Sequence, residues 1–253
     1  MKYVYSGDRK ISVQILEWLI QKGNFPLALF VSEGNNETHG NELIGLVQHS
    51  NCKVYRGKAI NEIETQEELK KMDLDYIIGI HYPYIICKKS LNIPRVGVLN
   101  LHPAYLPLNK GWHTPSWSIL DSTKYGATLH FMEEELDQGD IVNQEELEVD
   151  ICDTADSLYK KALQLEFKVF KDAYEDIVTL NPNRLKQLYQ GTSHKKADLN
   201  KVAQIDLTKQ YFFLEIYNKM RALTTNNIKE GAFFEHSGRK FKMQITIIEE
   251  NND

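Results

Sequence analysis

The sequence has few cysteines. Three stand in 253 residues, Cys52, Cys87 and Cys152, far apart and with no CxxC among them. That excludes a disulfide framework, argues against a cysteine-built zinc site, and leaves reduced thiols as the expectation. A basic surplus is also missing, since 30 Lys and Arg stand against 35 Asp and Glu for a net charge of -5. A chain of that balance has no overall field to gather nucleic acid. No run of 18 apolar residues is present, so no membrane span is expected. The opening MKYVYSGDRK lacks the apolar core of a signal peptide, and the cytoplasm is the expected compartment. Repeats and low-complexity segments are absent too. What remains is a globular composition, 42% hydrophobic and 26% charged, with enough residues for one large domain or one domain plus an appendage.

Apolar periodicity alternates between strand and helix. Strand-like runs lie at 2–5, 26–31, 53–55, 76–80 and 96–101. Helical spacing lies at 11–22, 42–49 and 65–72, the last with Thr65 as its cap and Glu68 three residues on. Such alternation predicts βαβ units and a mostly parallel sheet covered on both faces. Residues 114–120 suit a helix with Thr114 at the cap and Pro115 first. Strands are expected at 125–131 and 141–149. A long helix capped by Asp153 or Thr154 carries the stripe Leu158, Ala162, Leu165, Val169 and Ala173, with Lys160, Lys161, Glu166, Lys168, Lys171 and Asp172 on a solvated face. Asn181-Pro182-Asn183 breaks the chain. Beyond it come a polar crossing segment, a helix at 208–222 and a hairpin turning at His236–Arg239. The expected domains are therefore 1–180 and 181–253.

The chemistry-bearing stretch is Val98–Ile141. Asn100 and His102 are two apart in a strand-like run, so they share one face at its end, and Pro103 stops the ladder just beyond. Asp137 sits in a turn between two later strands. Each of the three taken singly has an ordinary structural reading, as a core histidine or a turn former.

In combination, Asn100-Leu-His102-Pro103, Leu106-Pro107, Gly126-Ala-Thr128-Leu-His130 and Leu136-Asp137-Gln-Gly139-Asp140 resemble the folate-dependent formyltransferases. The resemblance covers roughly residues 1–180. It implies an α/β, Rossmann-like catalytic domain with a mostly parallel sheet, followed by a small C-terminal helix and β-hairpin appendage. Asn109-Lys-Gly-Trp112-His-Thr114-Pro-Ser-Trp117 is most similar to the branch that N-formylates nucleotide-linked amino sugars. His194-Lys-Lys, Arg221-Ala-Leu-Thr224 and Gly231-Ala-Phe-Phe234 resemble the tail of that branch.

That resemblance implies N10-formyltetrahydrofolate as cosubstrate, no metal, and Asn100, His102 and Asp137 as the catalytic set. A carboxamide suits a developing oxyanion and an imidazole suits the proton an attacking amine must lose. Asp137 either orients His102 or relays protons through water. Folate contacts are expected near Tyr84, Ile86, Glu134 and Leu136, with Tyr82 and Tyr84 equally readable as sheet-capping packing. For the sugar nucleotide, Arg9 and Lys110 offer charge to a diphosphate, and Trp112 and Trp117 offer apolar faces. Ser6-Gly7-Asp8 falls short of GxGxxG, so no dinucleotide is inferred. A homodimer through the C-terminal segment is expected, because the tail hairpin is too small to hide its apolar face. The competing readings are a methionyl-tRNA or glycinamide ribonucleotide formyltransferase, and a non-catalytic folate- or sugar-nucleotide-binding module. Acidic balance disfavours tRNA, the extra segment after Asn181 disfavours the purine substrate, and the intact catalytic set disfavours the binder.

Overall fold

The structure is a computed structural model and describes residues 1–250. In chain order it has β1 (Tyr3–Gly7), α1 (Arg9–Gln21), β2 (Ala28–Val31), α2 (Gly40–Val47), β3 (Lys53–Arg56), α3 (Ile63–Lys71), β4 (Tyr76–Ile80), α4 (Lys88–Leu91), β5 (Gly97–His102), β6 (Lys110–Gly111) and α5 (Thr114–Leu120). These are followed by β7 (Tyr125–Phe131), β8 (Ile141–Leu147), α6 (Ala155–Asp172), α7 (Tyr174–Val178), β9 (Ser193–His194), α8 (Asp198–Val202), α9 (Phe213–Ala222), β10 (Ala232–His236) and β11 (Arg239–Met243). The main sheet runs β3-β2-β1-β4-β5-β7-β8. Its first five strands pair in parallel, and β7 pairs antiparallel with β5. The α/β class and the mostly parallel sheet are as the sequence implied.

Two compact units are assembled from interleaved segments. The first takes 1–102, 128–144 and 166–188, and the second takes 103–127, 145–165 and 189–253.

In the first unit the strands read as near-continuous apolar runs because both faces are covered. One face carries Val4, Ala28, Phe30, Ile77 and Val98 against Ile60, Leu69, Leu74 and Ile86. The opposite face begins with Tyr3 and Tyr5, whose hydroxyls donate to the carbonyls of Asn24 and Ser12 at 2.9 and 2.8 Å. Trp18 of α1 packs edge-on against Phe167, Phe170 and Tyr174. Ile77, Ile78 and Ile80 are wholly buried, and each contributes roughly 1.5–3 kcal/mol of burial free energy.

In the second unit Trp117, Leu199, Ala203, Ile205, Leu223 and Ala232 form one cluster, and Ile119, Tyr125, Leu158, Ala162 and Ala222 another. The expected crossing segment is a strap. β9 pairs in parallel with β6, Lys110 opposite Ser193 and Gly111 opposite His194. Asn109 N–H donates to Thr192 Oγ1 at 2.8 Å, and Trp112 N–H to the His194 carbonyl at 3.0 Å. Gly191, at φ 66°, lies so close to Pro107 that a Cβ would overlap its carbonyl. Gly191→Ala is therefore expected to lower unfolding free energy by about 1–3 kcal/mol from the left-handed backbone alone, read as a lower urea midpoint.

Local start signals needed correction. α3 begins at Ile63 rather than at a Thr65 cap: Gln66 N–H already donates to the Glu62 carbonyl, and Thr65 is buried inside the helix. At α5 the cap is His113, in left-handed conformation, while Thr114 is the first helical residue and gives its hydroxyl to the Pro103 carbonyl at 2.5 Å. Thr154 does cap α6, in reciprocal bonds with Ser157. Glu166 is not on a solvated face; it is fully buried. The helix expected from 208 starts only at Phe213, and Phe212 and Phe213 are exposed in the single chain. No helix among the described residues is long and apolar enough to cross a membrane.

Candidate active site

The site is built at the carboxyl end of β5, in the first unit. Strand register sets a row across the sheet, with Ser6 opposite Gly79, Gly79 opposite Asn100, and Asn100 opposite His130. Paired residues share a face, so Asn100 and His130 meet side by side, and Asn100 Nδ2 lies 3.1 Å from His130 Nε2. His130 Nδ1 lies 2.7 Å from the Phe131 carbonyl. A carbonyl only accepts, so the ring proton sits on Nδ1 and Nε2 accepts from the Asn100 amide. One Asn100 amide hydrogen is thereby fixed on His130, and the other has no partner among the described residues.

His102 follows two positions on, opposite Thr128, whose hydroxyl accepts from Gln144 Nε2 at 2.9 Å. Asp137 reaches both imidazoles, with Oδ2 3.6 Å from His102 Nε2 and Oδ1 3.5 Å from His130 Nε2. All three side chains are nearly buried. These separations are longer than a hydrogen bond, as catalytic contacts often are before substrate binds. Asp137 itself stands at φ 54°. Its turn is pinned by Gln187, whose amide donates to the carbonyls of Asp137 and Gly139, both at 2.9 Å.

The sequence-expected catalytic three therefore converge, and two residues join them. His130 reads in sequence as one more strand position. The signal for it was the Thr128/His130 spacing, the same i, i+2 pattern as Asn100/His102. Gln187 lies in a polar stretch with no signal of its own.

Residues 31–174 match the family model described as formyl transferase, and 198–250 match the N-formyltransferase dimerization C-terminal domain. This chain belongs to the formyl transferase family. Among relatives of this formyltransferase is the dTDP-4-amino-4,6-dideoxyglucose formyltransferase of Mycobacterium tuberculosis. It is 28% identical over 176 residues, 68% of this chain and 73% of the relative. A methionyl-tRNA formyltransferase of Fusobacterium nucleatum is 28% identical over 98% of this chain and 80% of its own. The N-formyltransferase of Helicobacter canadensis, solved in complex with folinic acid and dTDP-3-aminofucose, shares the fold. It has a TM-score of 0.72 and 22% identity over 94% of this chain and 85% of that one.

The expected folate residues of the formyltransferase are scattered. Glu134 lines an open cleft of about 460 Å³ with Lys88, Leu91, Asn92, Met132, Glu133 and Glu135, and is ion-paired to Lys88. Ile86 is buried in the core of the first unit. Tyr84 spends its hydroxyl on Glu33, accepting from its N–H at 3.2 Å, and Tyr82 donates to the Gly57 carbonyl. The two rings also meet each other edge-on, 5.1 Å between centroids. Leu136 is exposed.

The expected substrate residues fare unevenly. Lys110 is buried and its ammonium donates to the Gln190 carbonyl at 3.0 Å. Trp117 is buried, with its ring stacked on His194 at 3.8 Å between centroids. Both are held by the strap over β6. Trp112 is half exposed, with Lys196 Nζ 4.9 Å from its ring centre. Arg9 is exposed, in left-handed conformation. The start of α1 beside it already holds a buried carboxylate, since Asp8 Oδ1 accepts from Thr38 N, Thr38 Oγ1 and His39 N at 3.2, 2.9 and 3.0 Å. That negative charge makes the helix start a poor diphosphate cradle.

His113, beside Trp112, titrates below the ordinary histidine range because burial disfavours its charged form, against the opposing pull of Glu230. The folded state thus binds fewer protons there. Its contribution to stability is whole above the unfolded histidine value and is lost as pH falls below it. His113→Asn keeps a residue tolerant of φ 59°. The loss of urea midpoint between about pH 7.5 and about pH 5.5, on either side of the unfolded histidine value, is expected to be smaller in the variant than in the wild type.

Proposed function

We propose that this formyltransferase moves a formyl group from N10-formyltetrahydrofolate to the amino group of a nucleotide-linked amino sugar. The observation that carries it is the Asn100–His130–Asp137–His102 constellation at the carboxyl end of the sheet, where α/β folds place their ligands. Bound folate supplies an activated formyl carbon. The chain supplies the rest. The free amide hydrogen of Asn100 meets the formyl oxygen as negative charge develops on it. His102 takes the proton that the amine must lose after attack and returns one to N10 as the C–N10 bond breaks, so that tetrahydrofolate leaves as the neutral amine. Asp137 offsets the positive charge this places on the imidazole. The cleft beside Met132–Glu135 opens next to the turn that carries Asp137, and its size suits part of a folate.

Support for the sugar acceptor comes from the mycobacterial relative, whose name states a dTDP-amino sugar, and from the Helicobacter complex, which holds one. The tail matching the dimerization domain supports a homodimer. Phe212, Phe213 and Leu214 at the start of α9 are the exposed apolar surface that a second copy would cover. Three unpaired cysteines suit the cytoplasm.

The test is spectroscopic release of tetrahydrofolate from N10-formyltetrahydrofolate. dTDP-4-amino-4,6-dideoxyglucose, UDP- and GDP-linked amino sugars, glycinamide ribonucleotide and methionyl-tRNA are supplied in separate reactions. Turnover with an amino-sugar nucleotide is expected. Turnover with methionyl-tRNA alone would reassign the chain, and binding without turnover in every case would make it a binding module.

A further inference from the structure

The first unit holds another buried histidine–carboxylate pair. His81 comes directly after β4, and its Nε2 lies 2.7 Å from Oε1 of Glu166 in α6. Glu166 is fully buried, its second oxygen, Oε2, has no hydrogen-bond partner among the described residues, and the imidazole is 10% exposed. The register runs Gly79 opposite Asn100 and Ile80 opposite Leu101, so His81 comes level with His102 at the carboxyl edge of the sheet.

Two features set this pair apart from ordinary packing. A buried carboxylate with one of its oxygens unpartnered is costly, and an apolar pair of similar volume generally serves stability better. His81 also stands at φ 54°, a left-handed backbone that few side chains adopt without cost. Both costs fall on one histidine–carboxylate pair, whose histidine lies at the edge where ligands bind. They are not explained by the proposed catalytic set, which uses a different carboxylate, Asp137.

We propose that His81, held by Glu166, is a further binding residue for the acceptor sugar, taking a hydroxyl of the sugar on Nδ1. The chemistry follows from the clamp. Glu166 holds Nε2, so the ring is fixed in one orientation and Nδ1 is the nitrogen that can meet a ligand. Among the described residues no group bonds Nδ1. A sugar hydroxyl is the donor that suits it, and the inference rests on the amino-sugar reading of the chain.

The experiment measures KM for each substrate separately, with dTDP-4-amino-4,6-dideoxyglucose and N10-formyltetrahydrofolate. His81→Gly keeps the backbone conformation and removes the acceptor. Its KM for the sugar nucleotide is expected to rise roughly tenfold to a hundredfold, the range for losing one hydrogen bond in a polar site, while the folate KM stays within about twofold. His81→Asn tolerates the same φ and returns an amide oxygen near the Nδ1 position, so it is expected to recover part of the loss. Glu166→Gln keeps the shape without the charge and should move the sugar KM in the same direction by less. A His81→Gly variant with wild-type melting behaviour and an unchanged sugar KM overturns the proposal. So does an equal rise in both KM values, which would mark a collapsed loop. If the wild type neither binds nor formylates any amino-sugar nucleotide, the functional reading fails and takes the proposal with it. If the wild type turns over and the variants match it, only the proposal fails.

Discussion

Replacing Asn100 with alanine is expected to lower kcat about 10²–10³-fold, the usual cost of removing one oxyanion donor. Little of that loss will come from unfolding. Asn100 is partly exposed, and its one clear structural bond is the 3.1 Å contact with His130 Nε2. Orphaning that nitrogen costs about 1–3 kcal/mol, less than the roughly 5–15 kcal/mol that holds a typical domain together. Steady-state kinetics together with a circular-dichroism melt separate the two effects. Because the donor acts on charge that exists only in the transition state, kcat should fall while both KM values hold. Asn100→Asp should be worse than alanine, since it puts a negative charge where the oxyanion forms. An alanine variant keeping more than about a tenth of wild-type kcat would mean that the oxyanion is met by another group.

The proposed catalytic set was legible through its resemblance to a known pattern, and its convergence follows from local rules. Asn100 and His102 obey the strand's two-residue period, and Asp137 falls in a turn between two strand-like runs. What stayed hidden depends on partners far away in sequence. Glu166 sits among lysines in a helix whose pattern assigns it to water, yet His81, 85 residues earlier, draws it into the core. Lys110 and Trp117 read as surface groups, yet the strap at 190–194 gives one a carbonyl and stacks a ring on the other. Phe212 and Phe213 read as one side of an amphipathic helix, but the helix begins only at Phe213 and neither ring finds cover within one chain. Sequence periodicity reports which face a residue takes. It is silent on whether a remote segment will occupy that face.

Asp137→Asn is the sharper test of how the set works as a unit. Asparagine matches aspartate in size and accepts φ 54° as readily, so neither packing nor backbone is disturbed. Only the charge between two imidazoles is lost. His102 Nε2 and His130 Nε2 lie 3.6 and 3.5 Å from the two oxygens. A nearly buried imidazole that takes a proton without a counter-charge nearby faces the full desolvation penalty. The amide NH2 would also press a donor toward one of the rings and disfavour the state in which that nitrogen carries a proton. The expected loss in kcat is about 10³–10⁴-fold, the scale seen when a buried carboxylate behind a catalytic histidine is neutralised. Single-turnover mixing should show the same loss in the chemical step. Asp137→Ala should lose as much activity and also some stability, because alanine is strained at that φ. If Asp137→Asn instead kept wild-type turnover with a lower melting temperature, Asp137 would be a turn residue. His102 would then have to shed its proton to water without help from the carboxylate.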